Sequence, residues 1–174
     1  MNSPNIRVGQ GFDIHPVSDD PSRTLVLGGV SFDGPGLAGH SDADVIAHAI
    51  SDALLGAAGL GDIGSHFPDD DPAFAGANSI DLLRAVAAEV RANGWEPLNA
   101  DCSVVLDAPK IGPARAEMQQ ILSDAVGAPV TVKGKRSEGI GALGRGEGVA
   151  CWAVAVVAQA VSPAQAVSPA PALE

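Results

Sequence analysis

Apolar residues recur along the chain with two different spacings, which divide it into strands and helices. Runs in which apolar residues alternate or are continuous predict β-strands at residues 6–14, 24–32, 98–107, 130–133 and 148–157. Apolar residues at helical spacing predict α-helices at about residues 41–56, 79–93 and 113–126. Because runs of strands flank paired helices, this order favours an α+β two-layer sandwich, with a mixed sheet and helices on one face, over a doubly wound sheet.

Glycine occurs at special positions in the predicted strands. In the first strand, Gly9 and Gly11 would let another segment approach the backbone closely. The second strand is interrupted at Gly28-Gly29. The last apolar run, 148–157, is almost continuous, which predicts a strand in the centre of the sheet or one that packs against another subunit.

The segment 39–48, GHSDADVIAH, concentrates ionisable residues where a loop becomes the first helix. We expect Ser41 to cap this helix, with Asp42 and Asp44 in its first turn, where carboxylates suit the exposed N–H groups and the helix dipole. His40 lies just before the cap, near donors that suit an anion. This segment is therefore the first candidate for a functional site.

Asp13, His15 and His48 form a candidate metal site of one carboxylate and two imidazoles. Asp13 and His15 point to the same side if the first strand continues through them. Three protein ligands and an open position are how catalytic zinc is commonly held, and unrelated structural roles for the histidines are the alternative. His48 is four residues from both Asp44 and Asp52, so either carboxylate would orient its ring.

The net charge of −11 argues against nucleic acid or an anionic membrane as a partner. Four of the ten cations nevertheless fall within residues 133–145, which indicates a phosphate site or else a solvated hairpin. Glu138 lies among them and would bring a second, harder metal such as Mg²⁺ to a diphosphate. The GIGALG sequence at 139–144 matches a dinucleotide fingerprint, but a strand follows where that motif needs a helix. We expect a turn that either carries Arg145 towards an anion or has no ligand.

A long acidic loop is predicted at residues 61–72, and polar loops of this length are often functional. It is not an EF-hand, because the glycine at the sixth position and the glutamate at the twelfth are missing. We expect His66 to be an exposed residue of this loop, outside the metal site.

Localisation and domain boundaries follow from composition. Cys102 and Cys151 lie in apolar strands and are expected to be buried free thiols in a reducing compartment. Because no apolar run approaches the length of a membrane span and no signal-peptide core is present, we expect a cytoplasmic protein. We assign residues 1–158 to one domain and the Pro/Ala-rich residues 159–174 to a disordered tail.

Several short segments together are typical of one enzyme family. They are GFDIH at 11–15, GHSDAD at 39–44, His48, DALLGAAGLGDIG at 52–64, FPDDDP at 67–72, APK at 108–110 and GRGEG at 144–148. With them the chain resembles the 2-C-methyl-D-erythritol 2,4-cyclodiphosphate synthase family of the non-mevalonate isoprenoid pathway. The resemblance implies a homotrimer with active sites between subunits. It implies the substrate 4-diphosphocytidyl-2-C-methyl-D-erythritol 2-phosphate, whose 2-phosphate attacks the β-phosphorus of the diphosphate and expels CMP.

The resemblance also implies roles for individual residues. Zn²⁺ would be bound by Asp13, His15 and His48, and Mg²⁺ or Mn²⁺ by Glu138 together with the substrate diphosphate. His40 would stabilise the transition state, as would Arg136 if it replaces the threonine that the family has there. The residues expected to contact the substrate are Asp13, Ile14, His15, His40, Ser41, Asp62, Ile63, Gly64, Phe67, Pro68, Asp69, Asp70, Asp71, Leu106, Asp107, Ala108, Pro109, Lys110, Ile111, Gly112, Lys135, Arg136, Ser137, Glu138, Ala142 and Arg145.

Three departures from the family pattern affect the phosphate and nucleotide regions. The segment 135–138 reads Lys-Arg-Ser-Glu instead of Thr-Thr-Thr-Glu, so Arg136 substitutes a charge for a hydroxyl or acts through its backbone N–H. Ala142 stands in place of a phenylalanine, and Gly112 in place of a larger apolar residue.

Two other functions remain as alternatives. A zinc-dependent hydrolase would use the same three ligands to activate water. A non-catalytic trimeric protein would bind a metal or a nucleotide without turnover. Release of CMP without consumption of water would distinguish the synthase from both.

Overall fold

The computed structural model describes residues 5–160, which form a mixed α+β structure. The strands are β1 (Ile6–Pro16), β2 (Leu25–Leu27), β3 (Val30–Phe32), β4 (Trp95–Val105), β5 (Val130–Lys135) and β6 (Gly148–Gln159). The helices are α1 (Val45–Ala58), α2 (Ile63–His66), α3 (Ser79–Ala92), α4 (Arg115–Val126) and α5 (Gly141–Gly144), and Pro72–Phe74 and Gly112–Ala114 are 3₁₀ turns. Among the described residues, no helix is long and apolar enough to cross a membrane. The predicted tail lies outside the described residues from position 161 onward.

Four strands form a mixed sheet in the order β1-β6-β4-β5. β6 pairs antiparallel with β1 and β4, whereas β4 and β5 run parallel. α1, α3 and α4 pack against this sheet, and buried residues alternate with exposed ones along β1 and β6. The predicted α+β class with a mixed sheet is therefore confirmed, as is the central position of β6.

α1 lies directly against β1 because glycine occupies the strand positions that face it. A Cβ atom at Gly9 would overlap the carbonyl oxygen of Ala53, and one at Gly11 would overlap the carbonyl oxygen of Ala49. The close backbone approach predicted from the two glycines is thus confirmed. It brings the first turns of α1, including His48, next to the end of β1.

The predicted start of α1 is wrong, because Asp44 rather than Ser41 caps the helix. The Asp44 carboxylate accepts hydrogen bonds from the backbone N–H groups of Ile46 (3.1 Å) and Ala47 (3.3 Å). Ala43, immediately before the cap, has a φ of 59°, a left-handed conformation that an α-helix cannot continue through. Ser41 therefore belongs to the loop that precedes the helix.

The predicted strand at 24–32 is instead a hairpin of the two short strands β2 and β3. Gly28 and Gly29, with φ values of 58° and 79°, form its two-residue turn, which requires the left-handed backbone that glycine tolerates. Their N–H groups donate to the Asp44 carboxylate at 2.8 and 2.7 Å. The fully buried Asp44 carboxylate therefore links the hairpin to the start of α1 by hydrogen bonds.

The sheet face opposite the helices carries exposed apolar side chains. They are Ile6, Val8, Phe12 and Ile14 of β1, Leu98 of β4, and Trp152 and Val154 of β6. The Phe12 and Trp152 rings pack together with centroids 4.8 Å apart. A contiguous exposed apolar surface of this kind is typical of a protein–protein interface.

Replacing Gly11 with alanine is expected to lower the free energy of unfolding by about 2–3 kcal/mol, because the new methyl group forces α1 away from β1. Gly56→Ala is the matched control within α1, since its Cβ would come no closer than 3.9 Å to the Gln10 carbonyl oxygen. Alanine at that helical position should stabilise the protein by up to about 1 kcal/mol. Urea unfolding followed by circular dichroism measures both variants. A Gly11→Ala protein as stable as the wild type would contradict the packing described here.

Candidate metal centre and active site

Asp13, His15 and His48 converge where the end of β1 meets the first turns of α1. Asp13 Oδ2 lies 3.0 Å from His15 Nε2 and 3.1 Å from His48 Nδ1. The two imidazole nitrogens are 3.2 Å apart. The three side chains therefore meet as predicted, and the group could hold a metal ion.

The other nitrogen of each imidazole contacts the protein. His15 Nδ1 lies 2.7 Å from the Ala38 carbonyl oxygen, which can only accept, so Nδ1 carries the proton and Nε2 presents its lone pair to the triad. His48 Nε2 lies 2.8 Å from the Ser79 hydroxyl oxygen. Each ring is thus oriented by a partner outside the triad, as is usual for histidines that bind metals.

The prediction that Asp44 or Asp52 orients His48 is wrong. The Asp44 carboxylate is occupied by backbone N–H groups, and Asp52 accepts a hydrogen bond from the Ile63 N–H at 2.8 Å. The partner of His48 is Ser79, which is 31 residues away in the sequence and begins α3. Because this contact depends on how α3 packs against α1, no local spacing could have predicted it.

The spacing of the three donor atoms fits a tetrahedral metal ion. With metal–ligand bonds of about 2.0–2.1 Å, two ligands at a tetrahedral angle lie about 3.3 Å apart. The distances within the triad, 3.0, 3.1 and 3.2 Å, approach that value. A set of one carboxylate and two imidazoles is also chemically suited to Zn²⁺.

Asp13 and His15 each favour the charged form of the other. Burial raises the pKa of Asp13, but hydrogen bonds and charge from His15 and His48 outweigh burial and hold that pKa well below its usual range. Burial lowers the pKa of His15, but the hydrogen bond and charge of Asp13 outweigh it, so the pKa of His15 lies above its ordinary value. A proton and a metal ion would therefore compete for His15 Nε2.

A cavity of about 500 Å³ opens over the triad. The predicted site residues that line it are Asp13, His15, His40, Ser41, His48, Ile63, Gly64, Phe67, Pro68 and Asp69. Phe74 and Leu82 also line it; they were missed because apolar residues in a loop and a helix resemble ordinary core positions. Ile14, in contrast, lies on the opposite, exposed face of β1. We call the triad and this cavity the metal half-site.

The predicted aspartates of the acidic loop have different places. Asp62 caps α2 by accepting a hydrogen bond from the Ser65 N–H at 2.8 Å. The carbonyl oxygen of Asp71 lies 2.9 Å from His40 Nε2 and holds that ring at the rim of the cavity. Neither Asp62, Asp70 nor Asp71 is among the residues that line the cavity. The loop therefore lines the cavity with Phe67, Pro68 and Asp69, and its other three aspartates lie outside the lining.

The expected exposure of His66 is wrong. His66 is half-buried at the end of α2, and its Nε2 lies 2.8 Å from the Leu60 carbonyl oxygen. Its separation from the metal triad agrees with the prediction.

A second cavity, of about 370 Å³, contains much of the predicted basic segment. It is lined by Leu106, Asp107, Pro109, Lys110, Ile111, Gly112, Pro113, Arg115, Gly134, Lys135 and Arg136. Arg115, which was not predicted, adds a cation to Lys110, Lys135 and Arg136, because the start of α4 packs beside the end of β5. Several cations around one cavity of an acidic protein favour an anionic ligand. We call this cavity the basic half-site.

The remaining predicted contacts lie beside the basic half-site. Ala108 lines a neighbouring cavity of about 350 Å³. Ser137 is buried, and its hydroxyl donates a hydrogen bond to the Asp107 carboxylate. Glu138, Ala142 and Arg145 are exposed residues of the turn that follows. The structure does not bring these three side chains into either half-site.

The two half-sites open at the same end of the sheet but towards opposite edges. His15 of β1 pairs with Val149 of β6, while Val105 of β4 pairs with Ala150 of β6 and Lys135 of β5. β1 and β5 are the two edge strands, three strand spacings or about 14 Å apart. The metal half-site and the basic half-site are therefore separate on one chain.

The fold and the two half-sites define an α+β domain with a candidate metal site and a separate cavity lined by cations. A model of the YgbB family matches residues 6–158. The chain belongs to the YgbB family.

The chain is similar to curated proteins named 2-C-methyl-D-erythritol 2,4-cyclodiphosphate synthase. The protein from Bordetella petrii is 55% identical over 164 residues, which covers 92% of this chain and 99% of that protein. The protein from Bordetella pertussis is 52% identical over the same shares. Among solved structures, the CDP complex of IspF from Plasmodium falciparum has a TM-score of 0.78 and 32% identity over 92% of this chain and 100% of that one. The family predicted from the sequence motifs is confirmed.

The affinity for Zn²⁺ should fall as the pH is lowered through the raised pKa of His15, because a proton and the metal compete for Nε2. Below that pKa we expect about a tenfold loss of affinity for each pH unit. Competition with a chromophoric chelator between about pH 6 and pH 8.5 measures it. His66→Gln should leave the profile unchanged, since His66 lies outside the triad. An affinity independent of pH would contradict the assignment of His15 as a ligand.

Proposed function

We propose that this protein converts 4-diphosphocytidyl-2-C-methyl-D-erythritol 2-phosphate into 2-C-methyl-D-erythritol 2,4-cyclodiphosphate and CMP, the activity for which its relatives are named. The observation that carries the proposal is the Asp13, His15 and His48 triad beside a cavity, in a chain 55% identical to a named synthase. An oxygen of the 2-phosphate forms a bond to the β-phosphorus. The bond from that phosphorus to the oxygen bridging to the α-phosphate breaks, and CMP leaves without consumption of water.

The triad would hold Zn²⁺, which its donor set and spacing fit. When bound there, the ion would polarise a phosphoryl oxygen and neutralise part of its charge. Asp13 contributes one negative charge and the two neutral imidazoles none, so the ion keeps a net positive charge towards the substrate. The Ala38 carbonyl fixes the His15 ring and so preserves the direction of its lone pair.

The metal half-site would position the reacting phosphates and the erythritol. His40, held by the Asp71 carbonyl at the cavity rim, is placed to contact a phosphate and to stabilise the charge that develops during transfer. The erythritol would lie against Ile63, Gly64 and Phe67. Since both phosphates belong to one substrate molecule, positioning and charge neutralisation would supply most of the rate enhancement.

The basic half-site would bind the cytidine diphosphate part of the substrate. Its cations neutralise phosphate charge, and the solved relative from Plasmodium falciparum is a CDP complex. Arg136 would provide a charge where the family has a threonine hydroxyl. Glu138 would bind Mg²⁺ or Mn²⁺ together with the diphosphate, and Arg145 would add a further positive charge.

We further propose a homotrimer in which each active site is shared between two subunits. The two half-sites lie at opposite edges of the sheet, so one substrate would reach both most directly across a subunit boundary. The exposed apolar residues on the open face of the sheet supply a surface for that assembly. A second copy of the chain would bury them.

The catalytic domain would comprise residues 1–158, of which residues 6–158 match the family model, and the tail would follow the end of β6 at Gln159. Cys102 and Cys151 are both buried free thiols. Their state favours a reducing compartment, and we propose the cytoplasm.

The reaction is tested by ³¹P NMR of the protein with the cytidyl substrate, Zn²⁺ and Mg²⁺. We expect signals of a cyclic diphosphate and CMP. His48→Ala should reduce kcat at least about hundredfold because one metal ligand is lost, while the fold is retained. His66→Gln serves as the control and should stay active. Inorganic phosphate without the cyclic product would favour a hydrolase, and an unchanged substrate would favour a binding protein.

Val154→Glu is expected to convert the trimer into monomers, because it places a charge on the apolar face proposed as the interface. The monomer should remain folded, since Val154 is already 44% exposed on the isolated chain. Ala116→Glu, on the exposed side of α4, is the control and should stay trimeric. Sedimentation equilibrium measures the mass of both variants. A trimeric Val154→Glu protein would place the interface elsewhere.

A further inference from the structure

A series of hydrogen bonds with no role in the proposed reaction leads from His48 to a second carboxylate. His48 Nε2 lies 2.8 Å from the Ser79 hydroxyl, and that hydroxyl is hydrogen-bonded to Asp42 Oδ1. The Ser79 backbone N–H also donates to Asp42 Oδ2 at 3.1 Å. Ser79 has no exposed surface and Asp42 is half-buried, so these contacts are largely shielded from water.

The direction of these hydrogen bonds follows from the chemistry of the groups. A serine hydroxyl has one proton, and a carboxylate can only accept. The Ser79 proton therefore lies towards Asp42, and the Ser79 oxygen accepts a hydrogen bond from His48 Nε2–H. His48 therefore carries a proton on Nε2. In the neutral ring Nδ1 then holds the lone pair, whereas Nδ1 of the protonated ring donates to Asp13 Oδ2, 3.1 Å away.

Ser41 completes the arrangement without conflict. Its hydroxyl oxygen accepts a hydrogen bond from the Ala43 N–H at 3.1 Å. It lies 3.3 Å from the Ser79 oxygen, to whose second lone pair it can donate. Ser41 Oγ also lies 3.2 Å from His48 Nε2, a longer contact than the 2.8 Å from Nε2 to Ser79, and it can accept a share of the same Nε2 proton. The arrangement with Nε2–H as the donor is therefore self-consistent.

We propose that Ser79 and Asp42 are positioning residues that fix the His48 proton on Nε2 and so present Nδ1 as a metal ligand. Without the Ser79 oxygen, the imidazole is free to place its proton on Nδ1, where it donates to Asp13 and blocks the metal. The negative charge of Asp42, acting through Ser79, also makes the ring a better electron donor. This inference rests on the metal site of the proposed function, not on the reaction assigned to it.

The decisive comparison is between Ser79→Thr and Ser79→Val, which have the same shape and differ by a hydroxyl against a methyl group. Competition with a chelator measures their affinities for Zn²⁺. We expect Ser79→Val to bind at least about tenfold more weakly than Ser79→Thr, within the range found for partners of metal-binding histidines. Any strain from the added methyl group affects both variants equally. Equal affinities would overturn the proposal.

Ser51→Ala is the control for removal of a buried hydroxyl in general. Ser51 lies in α1, is fully buried, and donates to the Ala47 carbonyl at 2.8 Å, away from the triad. Its variant should bind Zn²⁺ as the wild type does. A loss as large as that of Ser79→Val would show that any buried serine near α1 has this effect and would overturn the specific role of Ser79.

The tautomer can be read directly in the wild-type protein. ¹⁵N NMR of the metal-free protein, at a pH where the imidazoles are neutral, should place the His48 proton on Nε2 in the wild type and shift it in Ser79→Val. A proton on Nδ1 of the wild type would overturn the proposal. The Zn²⁺ competition and the ¹⁵N NMR are both made without substrate. Their results therefore do not depend on whether the protein cyclises the diphosphate.

Discussion

The metal centre depends on how closely α1 lies against β1. Gly9 and Gly11 leave no side chain between the strand and the Ala49 and Ala53 carbonyls of the helix. Because of this contact, a histidine on the helix reaches a carboxylate and an imidazole that project from the strand. Backbone packing thus brings the three side chains within reach of one another.

A second constraint fixes where α1 begins. The buried Asp44 carboxylate accepts hydrogen bonds from the hairpin turn and from the first turn of the helix, so the hairpin and helix hold each other in place. Because the helix starts after Asp44, Ser41 and Asp42 remain in a loop. There both residues contact Ser79 at the start of α3, and Ser41 also lines the metal half-site. These contacts are possible because the helix is capped by Asp44 and not, as predicted, by Ser41.

Much of this could be predicted from the sequence because it depends on local patterns. Alternation and helical spacing located the main elements, two glycines predicted the close approach to β1, and residue types identified the triad. What escaped prediction depends on contacts between distant segments. Ser79 reaches His48 only through the packing of α3, and Arg115 joins the basic half-site only because α4 begins beside β5. The interruption at Gly28-Gly29 was predicted, but the reversal of the chain was not, because it depends on the positive φ values of the two glycines and on the pairing of β2 with β3.

Side chains alternate along β1, so one short segment contributes both to the triad and to the exposed apolar face of the sheet. Asp13 and His15 face α1, whereas Phe12 and Ile14 face away from it on the open side of the sheet. Neighbouring residues point in opposite directions. Insertion or deletion of a single residue would therefore turn Asp13 and His15 outward and Phe12 and Ile14 towards α1, which would disrupt both the triad and the apolar face. Point substitutions act differently, because changes at 12 and 14 alter the outer surface without touching the ligands. Substitutions on the outer face of β1 therefore leave the three donor atoms of the triad in place.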